Sequence, residues 1–478
     1  LDTFFKGDSG KAEEHKKISE ARESPSHVFK SVEEECPDNT SPCYLLSVTY
    51  NGKKKKALLK LYDPKNHKIY LWYDKYGHKP YFLTDIPPDK IKQIEKLVSH
   101  PSFERVEHIV KYDIIRDEKR VMSKIVMKDP QAVATARNYV PKAWEAKIKY
   151  HDNYIYDLGL IPGMLYKIER GLLKPVPTEI SAEARELIRK SFKNDDEREL
   201  AEKWIPLFET PPPKYRRVAL DIEVYTPVRN RIPDPEKARE PIISIAFAGS
   251  DGFKKVLILL TEDLMARELG YSTIEEENVI LEIFDSEKEL LRECFRIISD
   301  YPVIVTFNGD NFDLKYLYNR AKRLGFRESD IPLNRAAGWM RVNRGIHIDL
   351  YKFFENKAIQ VYAFAGKYKE FTLDAIASAF LKYHKIRLTA LVSELSIGEL
   401  AAYNFRDSKI TLALTMFDND LVMRLITLIM RISRMGMEDV VRRRVSAWIK
   451  NLFYWEHRRR GYLIPLAEEI IELKGDTV

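Results

Sequence analysis

Four Asp-x-Glu triplets punctuate the sequence, beginning at Asp195, Asp221, Asp234 and Asp285, and an acid-rich chain yields about that many from composition alone. Only the second lies in an apolar alternating run, RRVALDIEVY. There Val218, Leu220, Ile222 and Val224 take one face of a strand, and the two-residue period turns Asp221 and Glu223 to the other. Two neighbouring carboxylates on a largely buried sheet repel each other and resist desolvation unless a cation or basic partner neutralises them. Hard divalent ions such as Mg²⁺ take oxygen ligands of this kind. The plainer alternative is an exposed strand edge.

A further acid stands in VIVTFNGDNFDLKYL, where an apolar strand closes at Asn308-Gly309 and a helix opens near Phe312-Asp313. Strand ends that open into helices are where α/β folds carry their sites, although capping of that helix by Asp310 or Asp313 is the commoner outcome for a single acid. In AAYNFRDSKIT, Tyr403 and Asp407 fall four residues apart on one helix face and address one locus, unless they are an ordinary surface pair.

These groups need a scaffold. A chain of 478 residues predicts roughly two to four domains, and 45% hydrophobic with 11% aromatic residues excludes global disorder. No apolar run of membrane-spanning length and no signal-peptide order occurs, which predicts a soluble cytoplasmic protein with no membrane partner. Cys36, Cys43 and Cys294 are too few for a disulfide framework and lack zinc-site spacing. Lys+Arg 79 against Asp+Glu 72 gives a net charge of +7, compatible with nucleic acid without establishing it. The Lys- and Glu-rich, Gly-poor composition is that of thermophilic proteins.

Residues 8–42 show few apolar positions and no period, so 1–43 reads as a flexible leader. From Tyr44, YLLSVTY and KKKKALLKLY around Asn51-Gly52 predict a β-hairpin whose turn dipeptide tolerates positive φ, with Lys53 to Lys56 as a solvated or phosphate-contacting tip. Helical patterns follow up to Pro211-Pro212-Pro213, which separates a domain over 44–210 from an α/β domain over 211–425. In the latter, strand-like RRVALDIEVY, PIISIAFAG, KKVLILL and YPVIVTFN mix with helical SEKELLRECFRIIS and FDLKYLYNRAKRLGF, and residues 426–478 read as a helical segment.

Taken in order, DIE, NGDNFD and YNFRD resemble the three exonuclease motifs of family B DNA polymerases, and a tyrosine four residues before the last acid marks the tyrosine subclass of DEDD-type nucleases. GHKPYFLTD and YDLGLIPG are similar to the N-terminal domain of archaeal members. GIHIDLYKFF and FTLDAIASAFL are similar to the inter-motif exonuclease segments, and WEHRRRGYLIP to the lead-in to the palm. The likeness is greatest to the replicative family B enzymes of crenarchaea. Val224 departs from the small polar residue that many relatives carry there.

The resemblance implies a ribonuclease-H-like 3′→5′ exonuclease domain, a mixed α+β N-terminal domain and a C-terminal helical segment, proofreading single-stranded DNA and primer–template ends. It implies two Mg²⁺ ions, replaceable by Mn²⁺: Asp221 bridging both, Glu223 and Asp407 holding the ion that activates water, Asp313 the ion beside the leaving 3′ oxygen, and Tyr403 orienting the water. Thr306, Phe307, Asn308 and Phe312 are expected to grip the frayed primer end. Leu1, Phe4 and Phe5 resemble the end of a sliding-clamp-binding peptide.

DxxSLYP, KxxxNxxYG and YxDTD do not occur, so the expectation is a chain that does not polymerise by itself and works with remaining polymerase domains or subunits, its ends trimmed or the enzyme naturally split. A DEDD-type exoribonuclease and a non-catalytic template- or clamp-binding arm are the alternatives, and the presence of all four acids and the tyrosine argues against the second. Arg442 to Arg444 and Arg458 to Arg460 read equally as duplex-lining or as solvated helix faces.

Overall fold

The computed structural model describes residues 36–226, 232–262, 278–336, 338–381 and 394–470. Leu1, Phe4 and Phe5 lie outside the described residues. The N-terminal part builds two antiparallel sheets. β1 (Cys43–Asn51), β2 (Lys56–Asp63) and β3 (Lys68–Tyr73) form a meander, while β4 (Tyr81–Thr84) and β5 (Phe103–Asp113) flank β6 (Glu118–Met127). β7 (Leu165–Glu169) and β8 (Leu172–Pro175) complete the first sheet in the order β3-β2-β1-β7-β8. Helices α1 (Tyr150–Asp157) and α2 (Asp195–Glu209) follow the helical patterns read in the sequence.

The expected hairpin forms, with Asn51 opposite Lys56, but the residue of positive φ is Lys55 (+51°), not the Asn-Gly dipeptide. The loop runs from Gly52 to Lys55, longer than a two-residue turn, and this moves the left-handed position to its end.

β9 (Arg217–Val224) lies inside a six-stranded sheet with β10 (Ile242–Gly249), β11 (Lys254–Leu259), β12 (Ile280–Phe284), β13 (Val303–Thr306) and β16 (Ile346–Asp349), in the order β12-β11-β10-β9-β13-β16. Between β13 and β16 the chain makes a separate hairpin of β14 (Leu333–Ala336) and β15 (Trp339–Val342). β9, β10 and β11 pair antiparallel, and β13 and β16 run parallel to β9, which is the ribonuclease-H-like arrangement.

Both faces of this sheet are covered. Val218, Leu220, Ile222 and Val224 pack with Leu290 and Phe295 of α3 (Glu287–Asp300) and Leu314 and Leu317 of α4 (Asp313–Arg323). Ala219, Ala246, Val256 and Val305 share the opposite core with Leu400, Ala401 and Phe405 of α5 (Ile397–Ser433). Strict alternation in β9 is therefore a division of side chains between two helical layers, and it sends Asp221 and Glu223 to the α5 side.

A capping box starts α5: Ser396 Oγ accepts from the Glu399 amide, and the Glu399 carboxylate accepts from the Ser396 amide. The helix breaks at Phe417–Asp420, where Asp418, Asn419 and Asp420 have φ of +47°, +56° and +60°. Asp and Asn tolerate this region better than other side chains. Arg217 holds the break, with Nη2 2.6 Å from Asp420 Oδ1 and Nε 2.7 Å from Thr415 Oγ1.

Beyond it, α6 (Met437–Arg442) and α7 (Val445–Arg459) return to the N-terminal part: Trp455 packs with Tyr154 and Tyr166, and Leu463 with Tyr81 and Trp144. In each arginine triplet the first member turns inward, Arg442 to Asp310 and Arg458 to Glu145 and Asp157, because the helical period lets one residue of three face the core. Arg443, Arg459 and Arg460 pair with Asp439 or Glu456 nearer the surface. Among the described residues no helix is long and apolar enough to cross a membrane.

Candidate active site

Asp221 and Glu223 lie half-buried on β9, opposite Ala246 and Ser244 of β10. Tyr403 and Asp407 come from the first half of α5, which crosses the same face. The structure brings the four together. Burial raises the Tyr403 phenol pKa well above its ordinary value, and the charges of Glu223, Asp407 and Asp221 raise it further. A fourth acid arrives from the next layer: Asp313 opens α4, is 4% exposed, and its Oδ1 accepts from the amide of Ile222 at 3.3 Å, the residue between the two β9 acids. Its place in the first helical turn favours the carboxylate through the helix dipole.

The helix is fixed to the sheet beside these groups. Asn404, fully buried, donates from Nδ2 to Ser244 Oγ at 2.7 Å, which sets the rotation of α5 that points Tyr403 and Asp407 at β9. Sequence reasoning passed over this residue. Its signal was a polar side chain one position after Tyr403 on the otherwise apolar side of the helix.

The turn between β13 and α4 is held from below. Asp349 accepts from the amides of Asn308 (2.8 Å), Asp310 (3.0 Å) and Tyr351 (3.1 Å). Asn308 takes φ of +73°, and Gly309 comes so close to Thr306 that an added Cβ would stand 2.2 Å from Oγ1. Asp310 caps nothing; buried at 4% exposure, it accepts from the Met340 amide at 2.9 Å and pairs with Arg442. Arg442 Nη2 also lies 2.7 Å from His347 Nδ1, which is 3.2 Å from the Met340 carbonyl, and His347 Nε2 lies 2.8 Å from Thr306 Oγ1. Burial lowers the His347 pKa, against the opposing charge of Asp310.

Of the residues expected at the primer end, Phe307 and Phe312 are half-buried on opposite sides of the sheet end, against Tyr351 and Tyr316. Asn308 is half-buried between them in the chain. Thr306 differs from the expectation: it is fully buried with its hydroxyl engaged by His347 and the Gly309 amide, because the last residue of β13 faces the core. It shapes the turn and leaves contact to its neighbours.

The donor set is four carboxylates without sulfur or imidazole, the hard oxygen type that divalent cations such as Mg²⁺ and Mn²⁺ take. Among the described residues no three such side chains stand close enough to close a metal shell by themselves. The chemistry of the four carboxylates is of the type that suits a hard divalent cation.

Residues 142–376 match the family described as DNA polymerase family B, exonuclease domain. The chain is 52% identical over 430 residues to the protein named DNA polymerase 1 of Sulfolobus acidocaldarius, covering 90% of this chain and 48% of that one. It is 42% identical over 445 residues to DNA polymerase 1 of Aeropyrum pernix, covering 90% and 45%. The chain thus spans about half the length of the curated relatives it matches. A solved family B DNA polymerase from Pyrobaculum calidifontis shares the fold, with a TM-score of 0.64 at 18% identity over 89% of this chain and 51% of that one.

Proposed function

Since this chain belongs to DNA polymerase family B through its exonuclease domain, we propose that it is the N-terminal and 3′→5′ exonuclease portion of a replicative polymerase, removing nucleotides from mispaired DNA primer ends. One observation carries the reading: a tyrosine and three acids from two elements converge at the sheet, with a fourth acid bonded to the backbone between two of them.

Asp221, Glu223, Asp313 and Asp407 would hold divalent cations, Mg²⁺ being the proposed ion, which would supply charge neutralisation at the phosphate and lower the pKa of a bound water. The remaining work falls to the chain. A phenol with an ordinary pKa near 10 keeps its proton at neutral pH, so Tyr403 orients the attacking water by hydrogen bonding instead of acting as a base. Asn308, on its constrained turn, bonds the terminal nucleotide, while Phe307 and Phe312 offer ring surface to unstacked bases.

We further propose that Leu1, Phe4 and Phe5 anchor a sliding clamp, testable by calorimetric titration of the clamp with a peptide covering them, and that synthesis belongs to polymerase domains or subunits beyond this portion. The central test is degradation of matched DNA and RNA strands. DNA cleavage should stop in EDTA, return with Mg²⁺ or Mn²⁺, and fall by orders of magnitude in the D221A/E223A variant with melting temperature unchanged. Cleavage persisting in chelator, or a wild-type rate in the variant, rejects the assignment, and equal or greater cleavage of RNA selects an exoribonuclease.

A further inference from the structure

A second feature of the molecule has the chemistry of a binding site and no part in the cleavage reaction. Between α1, α2, α7 and the residue following α5 lies a cleft of about 720 Å³, within the size range of small-ligand sites. None of its lining residues belongs to β9, α4 or the acid-bearing half of α5.

Its wall is a buried arginine between two indoles. Arg434 is 3% exposed, and its guanidinium lies 4.2 Å from the Trp455 ring centre and 5.4 Å from that of Trp204. No carboxylate pairs with Arg434 among the described residues; Nη1 donates to the Arg431 carbonyl, and Nε has no hydrogen-bond partner. Two more donors along the same cleft are also without acceptors: Trp455 Nε1, on a residue 8% exposed, and Arg458 Nε, on a residue 9% exposed. Buried N–H groups left unpaired are rare in native proteins and call for an acceptor.

The charge inventory agrees. The acids in the wall are engaged, Asp157 by Arg458, His78 and Tyr81, and Glu456 by Arg459 and Arg460. Lys111 adds positive charge, and Lys203 pairs with Glu199. A ligand matching this wall carries a flat ring, several acceptors and a negative charge.

We propose that this cleft binds a nucleotide unit, with its base stacked on Trp204 and its phosphate toward Lys111 and Lys203. The unit is either a free nucleoside monophosphate, such as the exonuclease releases, or a segment of single-stranded DNA. Base–aromatic stacking flanked by cations is how strands are held without sequence preference.

The test is tryptophan fluorescence of the D221A/E223A variant in EDTA, titrated with dAMP, dTMP and a twelve-residue oligothymidylate. Saturable quenching is expected, weakened about tenfold or more by W204L and by R434M. W204L with intact β9 acids should degrade primers at the parent rate. Saturation by mononucleotides identifies the free nucleotide as the ligand; saturation by the oligomer alone identifies a strand. No saturable quenching by any probe, or undiminished affinity in W204L and R434M, overturns the proposal. Should either variant melt early, the charge reversals K111E and K203E replace it: weakened binding supports the site, and unchanged affinity overturns it.

Discussion

The guanidinium of Arg442 clasps the Asp310 carboxylate in two places, Nε to Oδ2 at 2.7 Å and Nη2 to Oδ1 at 3.1 Å, with both side chains 1% exposed. Through this contact α6 supports the turn that delivers Asn308 and Asp313. Removing one partner strands a buried charge. R442A should therefore cost about 3–5 kcal/mol in chemical denaturation, and replacing both partners by apolar residues, R442M with D310L, far less. A loss under about 0.5 kcal/mol in R442A would show that the pair does not brace the turn.

The same pair sets an acid limb. Burial by itself raises the Asp310 pKa, but His347, Arg442 and the Met340 amide outweigh it and hold the carboxyl below its ordinary value. A depressed carboxyl stabilises the fold above the unfolded value, about 3.9, and that contribution is lost as pH falls through the folded value. Unfolding free energy measured from pH 5 down to 2 should fall more steeply in the parent than in D310N; equal slopes refute it.

Tyr403 gives the opposite sign. In the protein without bound cations its raised pKa keeps the phenol protonated beyond the unfolded value near 10. On the proposed roles, Y403F should reduce the rate by roughly 10- to 100-fold with an unshifted pH profile, and D407A by more, since one would lose an orienting hydrogen bond and the other a metal ligand. An alkaline limb that disappears in Y403F would make the tyrosine a proton-transfer group.

Gly309 tests the turn without touching an acid. A Cβ there would stand 2.2 Å from Thr306 Oγ1 and 2.6 Å from its Cβ, both belonging to a fully buried side chain. G309A should destabilise by about 1–3 kcal/mol and reduce cleavage by displacing Asn308 and Asp313. Wild-type stability and rate together would show that the turn yields freely.

The readable parts of this site were those governed by local periods. Asp221 and Glu223 stand out because a two-residue alternation separates faces, and Tyr403 with Asp407 because four residues make about one helical turn. What sequence reading missed was decided by partners remote in the chain. Asp310 looked like a cap candidate, yet its cation lies 132 residues onward. Asn404 gained its role from Ser244, 160 residues earlier. The hairpin loop missed its Asn-Gly turn because length, not the dipeptide, set the left-handed residue.

The Asp310–Arg442 contact also orders events during synthesis. A chain emerging from its N-terminus presents all four acids and the tyrosine once residue 407 has appeared, yet Asp310 still awaits its counter-charge. Contacts of such long sequence separation form late, since loop closure must be met before they contribute. A nascent chain therefore holds all four acids and the tyrosine before it holds the turn that carries Asp313, and on the proposed assignment it becomes a nuclease only as residue 442 docks.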